Sequence, residues 1–177
     1  MAKGERRARA PKRAARRHRT VIVVGITVLA AVVVGYFAYR AQANLPGVQF
    51  PDQGNLHVAS AETSHEQYNS APPTSGPHLP YIAPWGVHTR PIVRELQVHN
   101  LEDGGVVVQY NCECPELVAK LKAVVDRYDR HVILAPYPGM KHNIALTAWT
   151  RLDTLDEFDE ARITRFIEAY RGIDPHK

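Results

Sequence analysis

The longest apolar stretch of the chain lies near its start. After Thr20 the run VIVVGITVLAAVVVGYFAY reaches Tyr39 without a charged residue, and about 19 residues at ~1.5 Å each span roughly 28 Å, close to the hydrocarbon thickness of a bilayer. The pattern predicts a transmembrane helix over residues 20–40. Beyond it the patterning is short and mixed. Asn55, Leu56, His57 and Val58 alternate as in a short strand, and Ile92, Val93, Leu96 and Val98 suggest an extended segment leading to His99. Val106 to Tyr110, a β-branched run behind Gly104-Gly105, reads as a buried strand. Leu117, Val118, Leu121, Val124, Val125 and Tyr128 share one helical face, with Pro115 at the first helical position and Cys114 at the N-cap. Val132 to Ala135 predicts a strand stopped by Pro136, and Ile144 to Trp149 predicts another. Thr154 with Glu157 has the spacing of a capping box, opening a last helix that presents Leu155, Phe158, Ile163, Phe166, Ile167 and Tyr170 and stops at Gly172. This order predicts an α+β fold: a two-layer domain with a mostly antiparallel sheet and helices on one face.

Two stretches fit neither period. Pro72 to Gly86 (PPTSGPHLPYIAPWG) is interrupted by five prolines, which fix φ and remove backbone donors, and HNLEDGG at 99–105 ends in two glycines. Tyr81, Ile82 and Trp85 give the first stretch large apolar groups to bury, so it reads as a rigid loop that holds His78 in place.

Charge divides the chain. Residues 1–19 carry nine Lys or Arg against the single acid Glu5 and have no apolar periodicity, which predicts a basic cytoplasmic tail. Residues 1–40 hold ten basic and one acidic residue, net +9. The remainder holds twelve and seventeen, net −5, so the overall +4 averages two unlike pieces. The positive-inside rule then keeps the N-terminus cytoplasmic and makes residues 41–177 an extracytoplasmic domain. The tail's charge belongs to topology and anionic lipid, with no nucleic-acid partner expected. Ala41-Gln42-Ala43 resembles a signal-peptidase site, but the apolar run exceeds the usual roughly 7–15 residues of a signal sequence, so a retained single-pass anchor is expected.

Serine-hydrolase, P-loop and dinucleotide fingerprints are absent, and the chemistry rests on imidazole and sulfur. Cys112 and Cys114 flank one residue. A bond between them would close too small a loop to stabilise much, while the helix macrodipole would favour a Cys114 thiolate, leaving metal ligation, a labile disulfide and inert thiols open. Met140 and His142, two apart, point to one side of an extended backbone. His78, His99, Cys112, Cys114, Met140 and His142 form the candidate ligand set, and this mixture suits copper best, with zinc as the alternative. His57 and His65 read as loop histidines. Glu102 and Asp103 can orient imidazoles or ligate a harder metal.

The motifs PPTSGPHLP, Trp85-Gly86, HNLEDGGVVVQY, LAPYPGM and IALTAW, in this order behind an N-terminal anchor, resemble the bacterial family catalogued as domain of unknown function 3105 over roughly Gly47 to Gly172. The resemblance implies a fold and little biochemistry. The family pattern reads HNLEHGG, and this chain has Asp103 where the second histidine stands. Three functions follow as expectations: a membrane-anchored extracytoplasmic protein that binds copper for delivery or sequestration; an interaction module or accessory subunit of a membrane complex, anchored on Tyr81 and Trp85; or a thiol-dependent enzyme using Cys114 and His99.

Overall fold

The computed structural model describes residues 12–175; residues 1–11 of the basic tail and the last two residues lie outside that range. The chain separates into two compact units, Met1–Leu45 and Pro46–Lys177. Among the described residues the first contains one helix, α1 (Lys12–Ala43). Within it Arg19–Arg40 is long and apolar enough to cross a membrane, with a mean hydropathy of 2.6, a property that a membrane span and a signal sequence share.

The second unit is an α+β fold around one six-stranded, mostly antiparallel sheet. Its strands are β1 (Val48–Gln49), β2 (Gly86–Val87), β3 (Val106–Tyr110), β4 (Val132–Pro136), β5 (Ile144–Ala148) and β6 (Arg151–Leu155), in the spatial order β1-β6-β5-β3-β4-β2. The pairs β1/β6, β6/β5 and β5/β3 are antiparallel, whereas β3/β4 and β4/β2 are parallel. Parallel neighbours need a crossover, and helix α3 (Pro115–Val125) supplies the one between β3 and β4.

Alternate residues of the central strands point to opposite faces. Val106, Val108, Val132, Leu134, Ile144 and Leu146 face α3 and the last helix, α4 (Glu160–Tyr170), meeting Leu121, Val124, Ile163, Phe166 and Ile167 in the main core. Val107, Ile133 and Ala135 face the other way, onto Leu101, Ile92, Ala83, Trp85 and Trp149. α3 and α4 thus share one face as expected, and the structure adds a layer on the opposite face: helix α2 (Arg94–Glu102) and the proline-rich loop. Burial on both sides is why Val106, Val107 and Val108 are consecutive apolar residues rather than alternating ones.

Three expectations are corrected. The segment from Ile92 is not extended: α2 starts at Arg94 and contains the first four residues of HNLEDGG. Its buried positions, Glu95, Gln97, Val98, Asn100, Leu101 and Glu102, are mostly polar, so no helical hydrophobic stripe marks it. Thr154 is no cap. It lies in β6, and the cap is Asp159, whose carboxylate accepts from the Arg162 backbone N–H at 2.9 Å. Tyr81 and Ile82 are surface residues, 57% and 37% exposed. The proline-rich stretch buries Pro72 through Leu79 instead, leaving its aromatic tip outside.

Candidate metal centre

A buried loop must satisfy its own backbone groups, and the proline-rich stretch does so through specific partners. His78 N–H donates to the Leu56 carbonyl at 2.9 Å and Val58 N–H to the His78 carbonyl at 2.8 Å, a parallel bridge that sets His57 beside His78. Leu79 N–H donates to Glu95 O at 3.0 Å. Tyr68 Oη donates to Pro77 O, and Gln53 N–H to Ser75 Oγ at 3.0 Å. From α2, the Asn100 amide clamps Ala83, accepting from its N–H and donating to its carbonyl, each at 2.9 Å. Gln97 donates to Ile92 O and accepts from the Gln109 amide of β3. The polar face of α2 is thus spent on fixing the helix to loop and sheet.

The end of α2 is set by the double glycine. Gly104 has φ +75°, and a Cβ there would lie 3.0 Å from the Gly172 and Ile173 backbone. At Gly105 a Cβ would meet Asn100 O at 2.4 Å and the Trp85 ring at 2.7 Å. Only glycine permits this approach, and it turns the last turn of α2, with His99 and Glu102, toward His78.

Three imidazoles and a carboxylate meet there. The His57/His78, His78/His99 and His57/His99 ring centroids are 5.0, 5.0 and 5.3 Å apart. Glu102 Oε2 lies 2.8 Å from His78 Nε2, 3.7 Å from His99 Nδ1 and 3.8 Å from His57 Nε2. One donor atom from each of His57, His78, His99 and Glu102 falls within 4.8 Å of the other three. A tetrahedral ion bonded at about 2.0–2.1 Å requires donors roughly 3.4 Å apart, so small side-chain adjustments suffice to hold one. His78 and Glu102 are buried, whereas the His57 side chain is 51% exposed.

Protonation follows from the partners. A carbonyl only accepts, so His78 Nδ1, 2.8 Å from Gly76 O, carries a hydrogen, and its Nε2 is turned on Glu102. That contact is favourable only with a proton or a cation between the two atoms. A backbone carbonyl fixing one ring nitrogen while the other faces the site is the usual outer-shell support of a ligating histidine. His99 Nδ1 is buried without a hydrogen-bond partner among the described residues. Burial lowers the His99 pKa from its ordinary 6.5, outweighing the upward pull of Asp103; neighbouring His78 adds to the lowering, and Glu102 and the Leu79 backbone oppose it. An imidazole whose burial disfavours its charged form, with Nδ1 turned toward a carboxylate and making no hydrogen bond among the described residues, suits a metal ligand better than a structural core histidine.

Of the six residues singled out in the sequence, His78 and His99 lie in this cluster. Cys112 and Cys114 are bonded to each other beyond the opposite end of β3. Met140 packs in a small apolar cluster with Ala145, Leu152, Phe50 and Tyr137. His142 Nδ1 pairs with Asp156 Oδ1 at 2.9 Å on the surface. The sulfur donors and His142 therefore lie apart from the imidazoles. His57, read as a loop histidine, and Glu102, read chiefly as an orienting group, complete the cluster. The strand-like alternation around His57 was the available signal, but the bridge to His78 is formed only in the tertiary structure.

The model of the family described as Protein of unknown function (DUF3105) matches residues 57–177. The chain belongs to this family. The match begins at His57, so all four clustered residues of this DUF3105 domain fall within it. Asp103 is half exposed with Oδ2 3.9 Å from His99 Nε2, whereas Glu102 approaches Nδ1 of the same ring. No curated protein and no solved structure matches the chain.

Proposed function

We propose that this DUF3105 domain is an extracytoplasmic metal-binding module, tethered by a membrane span at 20–40, that holds one borderline divalent ion between His57, His78, His99 and Glu102 for delivery or sequestration. The observation that carries the reading is the convergence of three imidazole nitrogens on one carboxylate oxygen, with His99 Nδ1 buried and making no hydrogen bond among the described residues. Three imidazoles and a carboxylate suit copper(II) and zinc, and the Irving–Williams order puts copper(II) first. A cuprous ion would favour the sulfur donors, which lie elsewhere. His57, exposed and on the lead-in segment, is the donor most easily exchanged, which suits a protein that takes up and releases its ion.

Metal analysis of the full chain in detergent tests this. Expression with copper and zinc supplied is expected to give close to one ion per chain. His99→Ala, His78→Ala and Glu102→Gln are expected to abolish binding, and His57→Ala to weaken it by about tenfold, or ~1.4 kcal/mol. Metal-free protein from metal-replete cells sinks the reading. The second reading, an interaction module of a membrane complex, is favoured by Tyr81 and Ile82 at the surface, and it would then stand.

A further inference from the structure

A second reactive group lies at the other end of β3. Cys112 and Cys114 are joined across a sequence separation of two. The entropic gain from a cross-link grows with the loop it closes, and this loop is minimal. Both flanks are already fixed by other means. Asn111 is fastened through its backbone N–H to Asn143 O at 3.0 Å and through its amide to Gly139 N–H and Met140 O; Tyr110 O accepts from Tyr137 N–H at 2.8 Å. On the other side Pro115 opens α3, with Val118 N–H donating to Cys114 O at 3.0 Å. The bridge is thus redundant as a staple.

Its setting is that of a group that reacts. Both cysteines are partly exposed, and they line an open cleft of about 740 Å³ whose other walls include Tyr110, Val118, Pro136 and Pro138. Cys114 is the N-cap of α3, so a thiolate released there would sit at the positive end of the helix macrodipole. Two carboxylates adjoin the bridge in the chain and oppose that effect: the exposed Glu113 between the two cysteines and Glu116 in the first turn.

We propose that Cys112–Cys114 is a thiol–disulfide exchange site that accepts two electrons from a dithiol reaching it through the open cleft. The dithiol's first thiolate attacks Cys112 Sγ, the Cys112–Cys114 bond breaks, and Cys114 leaves as a thiolate beside the α3 N-terminus. The second thiol of the donor, deprotonated, then attacks the mixed disulfide and releases Cys112. The donor ends as a disulfide, and its two protons end on Cys112 and Cys114. The site is independent of the imidazole cluster and stands whether or not that cluster binds metal.

The test uses the full chain in detergent micelles, with dithiothreitol as the dithiol and mass-tagged alkylation as the readout. Under native conditions about 1 mM reagent is expected to open the bond within minutes. At about pH 6.5, two units below an ordinary thiol pKa of about 8.5, Cys114 in the Cys112→Ser protein is expected to alkylate about tenfold faster than Cys112 in the Cys114→Ser protein. The double Cys112→Ser/Cys114→Ser protein is expected to keep its thermal midpoint within about 2 °C. A bond that yields only on unfolding, equal alkylation rates for the two thiols, or a drop of about 8 °C or more in the double variant overturns the proposal in favour of a structural bridge.

Discussion

Glu102 Oε2 is the atom on which the site turns, because three ring nitrogens approach it and only a proton or a cation makes that approach favourable. His99 gives this a measurable consequence. Burial lowers its pKa below 6.5, so in the folded chain it resists a proton that the unfolded chain accepts. Its contribution to stability is therefore complete above about pH 6.5 and lost as pH falls through the lowered value. In chelator-treated protein the thermal midpoint is expected to fall on acidification below about pH 6.5. His99→Gln, which cannot charge, should flatten that decline; an unchanged slope would show that His99 is not held neutral. Cys, Met and His spaced along loops suggest a soft site, but which donors meet depends on contacts such as the His57 to His78 bridge, absent from any local pattern.

At the scale of elements, α2 and the double glycine form one device. The helix presents buried Glu95, Gln97, Asn100 and Glu102 to loop and sheet, and Gly105 lets its end pass against Trp85. Gly105→Ala would place a methyl 2.4 Å from Asn100 O and 2.7 Å from the Trp85 ring. It is expected to cost about 1–3 kcal/mol, read as a lowered midpoint in urea. It should also weaken metal binding, since Asn100 and Glu102 share the displaced turn. Loss of stability with metal affinity intact would separate the turn from the site. α2 itself was hidden because its inward face is polar, whereas α3, with Leu121, Val124 and Val125 buried, follows the ordinary amphipathic rule and was legible residue by residue.

For the whole molecule, the unit that begins at Pro46 holds its own sheet and both cores. Its first residues belong to the fold. Tyr170 Oη donates to Pro46 O at 2.6 Å, and a Cβ on Gly47 would lie 2.8 Å from Phe166. Val48–Gln49 pairs with β6. A chain starting at Asn44 is therefore expected to fold without α1 and to keep its metal. One starting at Pro51, which loses β1 and the Tyr170 bond, is expected to melt several degrees lower, by about 1–2 kcal/mol. Equal thermal midpoints for the two would place the boundary later.

The sequence by itself determined the apolar N-terminal helix, strands β3, β4 and β5, the amphipathic helix α3 and the α+β class, because burial of a repeating apolar face writes its period directly into the chain. It also marked His78 and His99 as residues on constrained backbone. Tertiary structure alone decided that His57 and Glu102 join them, that the cysteines bond to each other, and that α2 is a helix. The cluster depends on contacts between residues more than twenty apart, such as the bridge from His57 to His78, and α2 on polar groups satisfied by loop and sheet; neither has a local period to read, and the composition around Cys112 and Cys114 left their bond as one of several open outcomes.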